Sequence, residues 1–94
     1  MNAVSFSWDK QKNEANIAKH QVSFNEAMTV FSDMNARVID DPDHSDSEDR
    51  FIILGTSNRL RALVVCHCYR EDDEVIRIIS ARKATKTEVS NYGK

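Results

Sequence analysis

A chain of 94 residues, 40% of them hydrophobic and with two glycines and one proline, suffices for one modest core and leaves no length for a second. No apolar run approaches the roughly 20 residues that cross a bilayer, and MNAVSFSWDKQ lacks the basic start and long apolar stretch of a secretory signal; a membrane role is excluded and a cytoplasmic protein is expected. The net charge of −2 hides a polarity: DDPDHSDSED at 40–49 holds six acids, while the other nine acids face thirteen bases, enough for one cationic surface suited to a phosphate-bearing partner.

In chain order, VSFSW at 4–8 alternates like a short strand, and Asp9 is placed to cap a first helix over KQKNEANIAKH. That helix has a thin apolar stripe of Ala15, Ala18 and Ile17. Ser23 and Glu26 have capping-box spacing, with Val22 set to staple against Ala27. Phe24, Ala27, Met28 and Phe31 then share one face, predicting a second helix over 24–32. The pattern next turns β-like at 36–40, 50–56, 62–69 and 75–81, joined by hairpin links and by the acidic stretch as the longest connection. Thr85 and Glu88 repeat the capping-box spacing and open a short final helix ending at Tyr92 and Gly93. The order β-α-α-β-β-β-β-α predicts an α+β domain over 1–94: an antiparallel sheet with the N-terminal helices packed on one face, a short C-terminal helix, and the opposite face open.

VIRIISAR at 75–82 poses the sharpest question, because this ribbon should be buried yet carries Arg77 and Arg82. In a regular strand residues five apart point to opposite faces, so one of the two is expected to turn with the chain or to sit in an ion pair, with Glu48 or Asp49 as the candidate partner. Cys66 and Cys68 fall on one face of the preceding strand and His67 on the other, which argues against a shared metal and for buried thiols. No cofactor is expected. His67 next to Arg77 on one sheet face, with Arg50 beginning the strand before, would form a metal-free RNA-cleaving group: an imidazole or carboxylate moves the 2′-hydroxyl proton and guanidiniums stabilise the phosphorane. A structural, hydrogen-bonded histidine is the simpler reading of His67 alone. Lys19 and His20 suit either phosphate contact or the dipole of the first helix, and Trp8 either base stacking or the core.

SWDKQKNEANIAKHQVSFNEAMTVFSD, DDPDHSDSEDRFIILGTS and RIISARKATKTEVSNY, in that order and spacing, resemble the BrnT toxin family from Trp8 to Tyr92. The resemblance rests on Trp8, Asp9, Lys12, Asn16, Lys19, His20, Ser23 and Phe24, then Asp41, His44, Glu48, Arg50 and Gly55, then Arg77, Ser80, Ala81, Arg82 and Ala84. It implies a RelE-like ribonuclease toxin of a type II toxin–antitoxin pair that arrests translation and growth. It also implies inhibition by a BrnA-type antitoxin and contact with operator DNA only through the antitoxin complex. Arg82 and Arg77 are the leading catalytic candidates, followed by Arg50 and Glu48, with His67 resting on chemistry alone; Lys19, Lys83, Lys86 and Tyr92 are candidates for RNA contact. Gln21 stands where the family's KHGVSF turn has glycine, and a left-handed residue there would cost about 1 kcal/mol more than glycine, so a reshaped turn is expected. An exposed sheet edge makes antitoxin wrapping or homo-oligomer formation the expected modes of assembly. The rival reading is a binding module without turnover that docks nucleic acid or an acidic protein through the same basic face.

Overall fold

The computed structural model describes residues 4–40 and 49–92. Strand β1 (Ser5–Ser7) leads into helix α1 (Lys10–His20), followed by α2 (Phe24–Thr29) and a 3-10 turn at Val30–Ser32. Strands β2 (Arg37–Asp40), β3 (Phe51–Thr56), β4 (Ala62–Arg70) and β5 (Val75–Lys83) precede the last helix, α3 (Lys86–Tyr92). The sheet order is β1-β5-β4-β3-β2. The three hairpin pairings are antiparallel, as expected, whereas β1 runs parallel to β5, so the sheet is mixed. A parallel neighbour is available to β1 because the chain reaches β5 only after two helices and three strands.

One sheet face is covered by the second helix, whose buried Phe24 and Ala27 join Val22, Val30, Ile53, Leu63, Val65, Ile78 and Ala81 in a single core. Met28, Phe31, Phe6 and Trp8 pack against its margin. Trp8 therefore belongs to the core, edge-on to Phe24 with ring centroids 6.1 Å apart. Gly55 marks the closest approach of sheet to helix layer: a Cβ there would lie 2.9 Å from both Ala36 Cβ and Val30 Cγ1. No helix among the described residues is long and apolar enough to cross a membrane.

Helix α1 does not use the apolar stripe read from the sequence, since Ala15, Ala18 and Ile17 are all exposed. Its inward face is polar. Asn16, 7% exposed, donates from Nδ2 to Val22 O and Ala81 O (both 2.8 Å) and accepts from Ala81 N at 3.1 Å. Asn13 Oδ1 accepts from Phe24 N (2.9 Å). The amide of Asn16 thus acts as one more strand residue on the edge of β5 that the three-residue β1 leaves uncovered, satisfying backbone groups that would otherwise be buried without partners. Asp9 caps the helix through Lys12 N (3.0 Å), and at the other end Gln21 adopts the left-handed conformation (φ 60°, ψ 33°) with its N–H bonded to Ile17 O. The turn keeps the shape a glycine would give it, contrary to the expected reshaping; the strain stays on Gln21.

Candidate active site

The puzzle of the two arginines is resolved by a β-bulge. Cys66 pairs with Ser80 and His67 with Ile78, so Ile79 has no cross-strand partner. The extra residue inverts the alternation of β5 at that point. Arg82, Ser80 and Arg77 therefore lie opposite Val64, Cys66 and Cys68 respectively, all on the face away from α2. The same rows continue through Leu54 and Ile52 on β3 to Arg37 and Ile39 on β2. Arginines thus border a strip of Val64, Cys66, Ile52, Leu54 and Ile39.

On this face a concave pocket of about 270 Å³ is lined by His20, Arg50, Ile52, Val64, Cys66, Ile79, Ser80, Ala81 and Arg82. Arg50 enters it from the start of β3, Arg82 from the end of β5 and His20 from the last turn of α1. The anchoring of Asn16 on Ala81 explains the third, because His20 is one helical turn beyond Asn16 on the same helix face. The sequence offered His20, with Lys19, for phosphate contact or for the helix dipole but did not group it with the arginines; its place in the pocket depends on that helix lying along the sheet edge.

Of the two expected partners of Arg82, Glu48 lies outside the described residues and Asp49 does not bond it. Its partner is Glu88 on α3, which it grips with both nitrogens, Nη1 to Oε1 at 2.8 Å and Nη2 to Oε2 at 2.9 Å. Glu88 also closes the predicted capping box: Oε1 accepts from Thr85 N (2.8 Å) and Thr85 Oγ1 accepts from Glu88 N (3.1 Å). The Arg82 guanidinium, and then the Thr85 bonds, hold the Glu88 carboxyl down at about 2 against the opposing effect of burial. The pair remains open to water, with side-chain exposures of 41% and 32%. Beside it α3 covers part of the face thought to be open, where Glu88 and Asn91 meet Arg37, Ile39, Ile52, Leu54 and Val64 around a hollow of about 240 Å³.

His67 is on the other face. It is wholly buried, with Nδ1 3.3 Å from Val65 O and Nε2 3.4 Å from the Tyr69 hydroxyl, among the rings of Phe31, Phe51 and Tyr69. Burial pushes its pKa down, outweighing the bond to Val65 O. The expected approach of His67 to Arg77 on one sheet face does not occur: odd positions of β4 face the helices, and the imidazole fills core volume. Cys66 and Cys68 do share the opposite face, as expected, and neither forms a disulfide.

Arg77 shares the face of Arg82 but borders a separate hollow with Ser5, Phe6, Ser7, Arg70, Glu71 and Val75. Four residues of β4 separate their rows, about 13 Å along the strand. Lys19 is exposed at the end of α1 beside His20, and Lys86 is exposed at the start of α3. Lys83 is also exposed but pairs with Leu63, which puts it on the helix-side row of the sheet. Glu48, with Asp41 and His44, lies outside the described residues, and Tyr92 is placed only as the last residue of α3.

Residues 8–88 match the family model for the ribonuclease toxin, BrnT, of type II toxin–antitoxin systems. The chain belongs to the BrnT family. A crystal structure of the Brucella abortus ribonuclease toxin BrnT superposes with a TM-score of 0.68 and 27% identity, covering 89% of this chain and 100% of that one. None of the curated protein sequences matches the chain significantly. As a BrnT-family protein, the chain is a ribonuclease toxin with RNA as substrate and an antitoxin as partner. The mixed five-strand sheet with its short C-terminal helix is the fold it shares with the Brucella toxin.

Proposed function

We propose that RNA is cleaved in the pocket between Arg50 and Arg82, with no metal taking part in the step. The observation that carries the reading is the bulge at Ile79, which turns Arg82 onto the same face as Arg77 and beside Arg50. A phosphodiester seated there meets two guanidiniums that stay protonated at any working pH and present planar donors to phosphate oxygens. Charge developing on the phosphorane as the 2′-oxygen attacks is what such donors stabilise, and the apolar floor of Ile52 and Val64 strengthens the interaction by excluding water. Arg82 is already held by Glu88, so an entering phosphate shares or replaces that carboxylate on the fork. Arg77, about 13 Å away along the sheet, suits a flanking phosphate of the same strand rather than the scissile one. Lys19 and Lys86 would extend the cationic rim. The product of the step is a 2′,3′-cyclic phosphate.

The partner under this reading is a BrnA-type antitoxin that covers the basic face, with operator DNA bound through the complex. The arena is the cytoplasm, where cleavage of RNA arrests translation. A homo-oligomer would form through the edge of β2, the last strand of the sheet.

The test is purified full-length protein, free of antitoxin, incubated with RNA in EDTA. The expected outcome is fragments ending in cyclic phosphate, and a loss of about a hundredfold or more in rate for Arg50→Ala and for Arg82→Ala with the thermal transition retained. RNA that is retarded in a gel but stays intact, or cleavage that appears only on adding metal, would overturn the reading.

A further inference from the structure

The two described histidines differ in each property that bears on proton transfer. His67 is sealed in the core with both ring nitrogens facing protein oxygens. His20 is half-buried on the pocket wall with Arg50 and Arg82, and among the described residues neither of its ring nitrogens has a hydrogen-bond partner. A helix end is ordinarily a frayed place for a reacting group. Here it is fixed from three sides: Asn16 is bonded to both backbone groups of Ala81, Asn13 holds Phe24 N, and the left-handed Gln21 closes the helix one residue later with its carbonyl bonded by Arg61 Nη2 (3.1 Å).

The other members of the lining do not suit the task. Arginine has no acceptor to offer, a serine hydroxyl is not a base, and the Cys66 side chain lies on the strand floor of the pocket rather than on its wall. An imidazole is the side chain that both accepts and releases a proton near neutrality. We infer that His20 is the proton acceptor for the attacking 2′-hydroxyl, an inference that rests on the phosphodiester being seated between Arg50 and Arg82. Neutral His20 takes the 2′-hydroxyl proton on a ring nitrogen as the 2′-oxygen forms its bond to phosphorus. The bond from phosphorus to the 5′-oxygen breaks, the departing oxygen takes a proton from water, and the hydroxide so formed removes the proton from the imidazolium. The net result is one 2′,3′-cyclic phosphate and one 5′-hydroxyl.

The experiment compares full-length wild type with His20→Ala, His20→Gln and Arg50→Ala on a fluorescent single-stranded RNA, reading cleavage rate, RNA affinity by anisotropy, and thermal unfolding. Both His20 variants should lose about a hundredfold or more in rate while binding RNA within about threefold of wild type. Free imidazole should restore part of the rate of His20→Ala and none of that of Arg50→Ala, a response that a merely structural histidine would not give. Wild-type cleavage by His20→Ala or His20→Gln alongside an inactive Arg50→Ala overturns the role of His20 and leaves the pocket standing. Wild-type cleavage by Arg50→Ala removes the pocket and the inference together. Lost affinity in both His20 variants without imidazole rescue would make the residue a binding group and likewise overturn the inference. Should His20→Ala unfold, His20→Gln, which keeps a polar side chain of similar reach, decides between these outcomes.

Discussion

Two Ser/Thr-x-x-Glu motifs open helices among the described residues, one on each face of the sheet, and they end differently. At Thr85–Glu88 both arms of the capping box form, and the free edge of the carboxylate is gripped by Arg82 in partial contact with water. At Ser23–Glu26 only the first arm forms, Ser23 Oγ accepting from Glu26 N at 3.0 Å. The carboxylate of Glu26 turns into the protein instead, where it accepts from Ser57 Oγ (2.6 Å) and from Arg61 Nε (2.9 Å) and Nη2. Its side chain is 4% exposed, against 32% for Glu88. Equal spacing with unequal burial gives one glutamate that locks the loop between β3 and β4 to α2, and another that grips a pocket arginine without sealing it away.

The largest effect should come from breaking the buried member. Glu26→Ala strands Arg61 and Ser57 and should lower stability by about 3 kcal/mol in urea unfolding, at the low end for a broken buried pair because Arg61 keeps some access to water. Intrinsic RNA cleavage by the folded fraction should be unchanged.

Acid should separate the two faces next. His67 has a depressed pKa in the folded state, so below pH about 6.5 the unfolded chain binds the extra proton and stability falls, by up to about 1.4 kcal/mol per pH unit until the folded pKa is reached. His67→Phe, which keeps an aromatic ring in the cluster, should flatten the stability profile between pH 7 and 5. The two glutamates act lower. Arg61 holds the Glu26 carboxyl below its usual range, and Arg82 holds that of Glu88 at about 2. Both contributions are present above the ordinary glutamate pKa and are lost as pH falls through the depressed folded values.

The exposed pair sharpens the contrast from the other side. Glu88→Gln should cost no more than about 1 kcal/mol, as partly solvated pairs do, and should tighten RNA binding severalfold by freeing the fork of Arg82. A stability loss as large as that of Glu26→Ala would erase the distinction between the two motifs. The smallest expected effect is a gain: Gln21→Gly relieves a left-handed non-glycine residue and should stabilise by about 0.5–1 kcal/mol, measured as a rise in thermal midpoint.

Much of the fold was legible because it follows from local chemistry. Alternation placed the strands to within a few residues, and Asp9, Ser23 and Thr85 marked the helix starts, since a side-chain oxygen capping a free N–H acts within one turn. Arg82 and Arg50 were singled out and do share a pocket; His67 was placed with them and is instead in the core. The first helix was misread because its inward residues are asparagines, whose role appears only when a strand edge lies alongside.

The sequence by itself determined the elements, the positions of the caps and the arginine-bearing ribbon, because propensity, capping and hydrophobic period are set by residues a few positions apart. Tertiary structure alone decided which face each arginine joined, which glutamate met which guanidinium, and that a histidine from the first helix stands beside them. Those outcomes hinge on a single unpaired residue at Ile79 and on pairings across 35 residues for Arg61–Glu26 and 65 for Asn16–Ala81. One inserted position reverses a strand's alternation, and no local preference records it.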